Sequence, residues 1–138
     1  MSEDEAANTL RARRFFEEIW NKGNFNFLSQ LLAPSYVDHN SDFPPGPEGV
    51  RQEVSMYRKA LPDVHFTVDD VIAEDDKVVT RVTATGTQRG DLPGIPATSK
   101  RATLSGIVIF RFEEGRIVEA WMSFNFLSLY RQLGAIPS

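Results

Sequence analysis

The stretch TLSGIVIFRFEEGRIVEAWMSFNFLSLYRQLGAIP, residues 103–137, decides the fold. Two runs of β-type residues flank Glu113-Glu114-Gly115, a tight-turn signal, and predict a long hairpin. With strict alternation, Ile117, Glu119, Trp121, Ser123 and Asn125 fall on one face of the second run. A carboxylate, an indole, a hydroxyl and an amide do not sit together against an ordinary core. Either this face meets water or it lines a cavity that wants polar groups. The second reading makes the chain a small pocket protein, and the expectation carried forward is that this face looks inward.

Working outward, the period of 2 continues upstream. Strands are predicted over 64–73, 78–88, 102–112 and 116–124, with a turn at 74–77 and a Gly- and Pro-rich loop over 89–100. Before residue 62 the period is 3.6. A first helix starts at Ala6, after a frayed 2–5, and ends at Lys22-Gly23. A short second helix over 25–32 follows an Asn24 cap and stops before Pro34. A third, over 48–61, puts Val50, Val54, Tyr57 and Leu61 on one side, with Arg51, Glu53 and Arg58 elsewhere. Residues 36–40 begin extended and become a loop, and 126–132 form a closing helical turn. Helices followed by a long antiparallel sheet define an α+β chain: one domain, 1–138, with a curved sheet wrapped over the N-terminal helices. The pocket lies between the concave sheet face and the helices.

The 138 residues, 41% hydrophobic and 25% charged, are enough to bury a core, hiding roughly two thirds of the unfolded surface. A net charge of −4 with no basic stripe argues against a nucleic-acid partner. The absence of cysteine excludes disulfides, thiolate metal sites and a thiol nucleophile, and fits a cytoplasmic location. The N-terminus is acidic and lacks the apolar region of a signal peptide. No apolar run approaches the roughly 20 residues of a membrane span.

Several residues could carry chemistry. His39 stands in the loop after the extended segment, and imidazole is the side chain that exchanges protons nearest neutral pH. It could be a base, or only a rim hydrogen-bonder; Asp38, its neighbour on extended chain, points to the opposite side. Arg111 shares a face with Thr103, Ser105, Ile107 and Ile109. It could hold an enolate or carboxylate, or pair with Glu119 across the hairpin. The opposite face, Leu104, Gly106, Val108, Phe110 and Phe112, reads as an apolar dimer surface. Asn125 could donate to an enolate oxygen or merely satisfy backbone groups at a strand end. Phe16, Trp20, Tyr36, Tyr57, Trp121 and Phe124 are either pocket walls or core. Two distant histidines and no cysteine make a metal site improbable, and no glycine pattern suits a phosphate loop. The candidate catalytic set is therefore His39, Arg111 and Asn125. Trp20, Tyr36, Tyr57, Ser105, Glu119, Trp121 and Phe124 are expected to contact the substrate.

The order of local motifs adds a resemblance. Tyr36-Val37-Asp38-His39, Gly46-Pro47-Glu48-Gly49, Ala60-Leu61-Pro62-Asp63, Gly94-Ile95-Pro96-Ala97-Thr98, 115–121 and Gln132-Leu133-Gly134 resemble successive landmarks of SnoaL-like polyketide and ester cyclases. That family belongs to the nuclear transport factor 2-like superfamily. The resemblance implies a cone-shaped α+β barrel and a homodimer packed through the outer sheet face. It implies no metal and no organic cofactor, and a small apolar or polyketide-like ligand. Characterised cyclases of the family carry an Asp four residues beyond the Trp as general acid/base; here Asn125 stands there, and a carboxamide has no proton to exchange near neutral pH. The expected function is a cofactor-independent cyclase or isomerase acting on a carbonyl-containing molecule. A non-catalytic binding protein, or a hydrolase, hydratase or hydroxylase using the same pocket, stays open beside it.

Overall fold

A computed structural model describes residues 1–136. Helix α1 spans Glu3–Arg14, starting from a capping box in which Ser2 and Glu5 satisfy each other's backbone N–H. It runs on into a π-helical turn, Phe15–Trp20, whose wider winding buries Phe15, Phe16, Ile19 and Trp20 together. The short α2, Leu28–Leu31, leads into β1, Leu32–Asp38. Helix α3, Pro47–Ala60, begins with Pro47 in the first turn, where a missing N–H costs nothing. Strands β2, His65–Glu74, β3, Lys77–Thr87, β4, Arg101–Glu113, and β5, Arg116–Phe124, follow, and α4, Phe126–Gln132, closes the described chain.

The architecture is α+β: a curved, unclosed five-stranded sheet in the order β1-β5-β4-β3-β2, with the N-terminal helices on its concave side. Four strands match the predicted ones within a residue or two. The fifth corrects the expectation. The segment read as extended and then loop is β1, which pairs in parallel with β5, so the sheet is mixed at one edge. Period-2 patterning missed it because Ala33-Pro34-Ser35 interrupts the alternation with small residues and an imide.

The facing of the sheet is a larger correction. Val108, Phe110 and Phe112, expected on a dimer surface, are buried in the chain's own core. Phe110 lies edge-on to Phe15 and Phe16, with centroids 5.3 and 5.9 Å away. The helices expose an apolar stripe that must be covered, and the most apolar sheet face covers it. The opposite face carries Ile107, Ile109 and Arg111, paired with Ser123, Trp121 and Glu119, and looks outward. A β-bulge at Val118 also removes Ile117 from that set: Ile117 pairs with Phe112 and is fully buried, while Glu119 pairs with Arg111.

Candidate active site

Inside the concave face lies an apolar cavity of about 120 Å³. Its walls include Phe16 and Trp20 from the π-helical turn, Tyr57 from α3 and Leu61 just after it, Phe66 from β2, Ala84 from β3, Leu104 and Val108 from β4, and Met122 and Phe124 from β5. Phe126 and Leu129 of α4 close one side. The aromatic walls hold one another: the Trp20 ring sits 4.9 Å from Phe66 and 5.8 Å from Tyr57, centroid to centroid. Phe124 lies across Gly106, its cross-strand partner; a Cβ there would come within 2.3 Å of the ring, so only glycine admits it.

Asp38, Asn40 and Glu53 bring polar groups to this lining, as does Thr85 of β3. The tail of β1 is pinned to β5 by the His39 N–H, which donates to the Ala120 carbonyl at 3.0 Å. The Met122 N–H donates to Asn40 Oδ1 at 2.8 Å. Asp38 pairs with Ala120 and so shares its inward face, which turns His39 outward. Asp38 Oδ1 accepts the Asn40 N–H at 2.9 Å. Glu53 arrives from α3. It lies three residues after Val50 and four before Tyr57, on the helix's core-facing stripe, and not elsewhere as its charge suggested. It has no hydrogen bond or ion pair with any described residue.

Burial acts on both carboxyls. Desolvation pushes Asp38 above the usual aspartate range, partly opposed by the Asn40 N–H and by His39. Glu53 rises to about 7, chiefly through desolvation and then through the charge of Asp38. Asp38 ionises first, and its charge helps hold the proton on Glu53. Tyr57 is pushed up to about 12, again mainly by burial, with Glu53 and Tyr130 contributing.

Both carboxyls also border a second cavity, of about 390 Å³, beneath the loop carrying Ser41, Phe43, Pro44 and Pro45. Tyr36 lines it as well. The Tyr36 hydroxyl is buried without a hydrogen-bond partner among the described residues, although the residue is only 1% exposed. Burial and the two nearby carboxyls raise its pKa well above the tyrosine norm.

Of the residues singled out in the sequence, Trp20, Tyr57 and Phe124 line the apolar cavity and Tyr36 the second one. His39, Arg111, Ser105, Glu119, Trp121 and Asn125 line neither, which overturns the expectation that the Trp121 face looks inward. Instead His39, Arg111, Glu119 and Trp121 form an outer network. His39 Nε2 contacts Glu119 Oε2 at 2.8 Å, and the ring stacks on Trp121 at 5.1 Å. Arg111 Nε donates to Glu119 Oε1 at 2.8 Å, and Nη1 to Glu113 Oε1 at 2.8 Å. These contacts, His39 first and then Arg111, hold the Glu119 carboxyl below its ordinary pKa. Asn125 caps α4, its Oδ1 accepting the Ser128 N–H at 3.1 Å. Asp38, Asn40 and Glu53 are the cavity residues sequence reasoning left out. For Glu53 a signal existed: a carboxylate at a stripe position of an amphipathic helix.

Among the described residues no group of three or more His, Asp or Glu is placed to hold a metal ion, and no helix is long and apolar enough to cross a membrane.

A curved sheet closed by helices around an apolar hollow defines a pocket domain of the nuclear transport factor 2-like class. The family model for SnoaL-like polyketide cyclase matches residues 10–133, and the chain belongs to that family. TsrD from Streptomyces laurentii is 33% identical and superposes with a TM-score of 0.90 over 98% of this chain and all of that one. A candidate polyketide cyclase from Bacillus cereus is 29% identical, with a TM-score of 0.84 over 99% of this chain and 87% of its own. AclR from Streptomyces galilaeus, a candidate hydroxylase, is 26% identical, with a TM-score of 0.84 over 96% and 99%. No curated protein matches the sequence.

Proposed function

We propose that the chain is a cofactor-independent cyclase or isomerase that takes a small, largely apolar, carbonyl-containing molecule into the cavity between sheet and helices. The observation that carries this reading is the composition of that cavity: aromatic and aliphatic walls interrupted by groups able to exchange protons. An apolar hollow excludes water from an enolate, and its walls hold the ends of a flexible substrate within reacting distance. Family membership supports the reaction class. The size of the hollow limits the ligand: cavities near 150 Å³ accept a single benzene ring, so about 120 Å³ suits a molecule of one small ring. AclR keeps a second reading alive, hydroxylation in the same hollow. A homodimer through the outer sheet face belongs to this proposal; its support is the family resemblance and the apolar residues on that face, with Ile107 47% exposed.

The test uses cyclopentanone, a small apolar cyclic ketone. Saturation-transfer NMR should show it bound to the wild-type chain. Ala84→Leu, which fills the hollow, should weaken binding at least tenfold while far-UV circular dichroism stays native. Equal binding by both proteins would place the ligand elsewhere and end the reading.

A further inference from the structure

We propose that Asp38 and Glu53 are the base and the acid of the cavity reaction, and that Tyr36 and the second cavity form the path by which they exchange protons with water. This rests on the pocket reading above and names the groups that would perform its chemistry.

Three independent features point there. Both carboxyls border the substrate-sized hollow, and no Lys or Arg borders either cavity to neutralise them. Glu53 projects from a helix stripe otherwise occupied by Val50, Val54 and Tyr57, where an unpaired carboxyl costs stability and brings no packing in return. Finally, Tyr36, whose buried hydroxyl has no partner among the described residues, lines the second cavity together with both carboxyls. A cavity of about 390 Å³ has room for several waters. The pair therefore has one side toward the substrate hollow and another toward a cavity with room for water.

The roles follow from the surroundings. Asp38 receives the Asn40 N–H, which favours its ionised form. Glu53 has no donor and sits beside that charge, which favours its protonated form. Tyr57 and Tyr36 also face Glu53 but stay neutral; His39 acts on Asp38 from the outer side. In the reaction the Asp38 carboxylate takes the proton from the carbon next to the substrate carbonyl. The freed electron pair forms the enolate, which either picks up a proton or attacks a second carbonyl carbon of the same molecule. The oxygen that gains charge takes the proton of Glu53. Asp38 ends protonated and Glu53 ionised; a proton returns from one to the other through the water and hydroxyl of the second cavity. The product is an isomer of the substrate, with no oxidant or reductant consumed.

The test follows deuterium uptake at the carbon next to the carbonyl of cyclopentanone in D₂O, catalysed by wild type and by Asp38→Asn, Glu53→Gln and Tyr36→Phe. Wild type should catalyse exchange with a rate that falls above pH 7. Asp38→Asn should slow it by about 100-fold or more, with binding retained. Glu53→Gln should slow it and flatten the alkaline limb, and Tyr36→Phe should displace that limb. Retained binding with undiminished exchange in Asp38→Asn and Glu53→Gln overturns the pair and leaves the pocket reading standing. Absence of cyclopentanone binding removes the pocket reading, and the assignment with it. A separate measurement needs no ligand: carboxyl ¹³C NMR should show Glu53 titrating near 7 in wild type and lower in Asp38→Asn. Titration of Glu53 near 4.5 in wild type overturns the pair whatever the ligand does.

Discussion

Replacing Glu53 with glutamine should change how stability depends on pH, and the sign follows from the structure. Burial and the Asp38 charge raise the Glu53 carboxyl from 4.5 to about 7 in the folded chain. A carboxyl with a higher pKa folded than unfolded contributes its full share of stability below the unfolded value and loses it as pH rises through the folded one. Wild type should therefore lose stability between about pH 4.5 and 7 through this residue. The gap corresponds to about 3 kcal/mol at roughly 1.4 kcal/mol per pH unit. Water reaching Glu53 from the second cavity reduces it, so the expected loss is about 1–3 kcal/mol. Glutamine keeps the shape and never ionises. The two proteins should unfold at similar urea concentrations at pH 4, and the Gln variant should be more stable by that amount at pH 8. Urea titrations at fixed ionic strength, from pH 4 to 8, measure this directly. A difference independent of pH, or one favouring wild type at pH 8, would refute the claim that Glu53 pays a desolvation cost when ionised.

Asn125→Ala should lower stability by about 1 kcal/mol through loss of the α4 cap, while Asn125→Asp, which can still accept the Ser128 N–H, should stay near wild type in the same unfolding assay. Gly49→Ala would place a Cβ 1.6 Å from the Pro44 carbonyl oxygen; thermal melts should show a loss of at least about 2 kcal/mol, or else the loop must swing away and open the second cavity, visible as faster amide exchange over 41–46. His39→Ala should raise the Glu119 pKa toward the ordinary value, because the imidazole contact is the largest influence holding it down; carboxyl NMR of Glu119 reads this. Ile107→Arg, on the outer sheet face, should convert a dimer to monomer in sedimentation equilibrium, and an unchanged mass would remove that face from any assembly.

The period switch from 3.6 to 2 near residue 62, and the turn at Glu113-Glu114-Gly115, were enough to place three helices and four long strands, because backbone geometry forces those side-chain spacings. The closing helix over 126–132 and the family motifs were legible the same way. The aromatic walls Trp20, Tyr57 and Phe124 could be named, since large rings near a concave sheet have few other places to go. What alternation could not supply was the sign of the sheet. Periodicity sorts Val108, Phe110 and Phe112 from Ile107, Ile109 and Arg111 but is silent on which set meets the helices. Only packing decides it: the stripe of Phe15, Phe16 and Ile19 needs an apolar partner, and the polar set can satisfy itself outside through Arg111, Glu119 and His39. That one choice moves His39, Arg111 and Trp121 out of the cavity and turns Asp38 in. It also brings together Asp38 and Glu53, fifteen positions apart in sequence. Their partial burial, which shifts their proton affinities, exists only once β1 has paired with β5 and α3 has closed over the sheet.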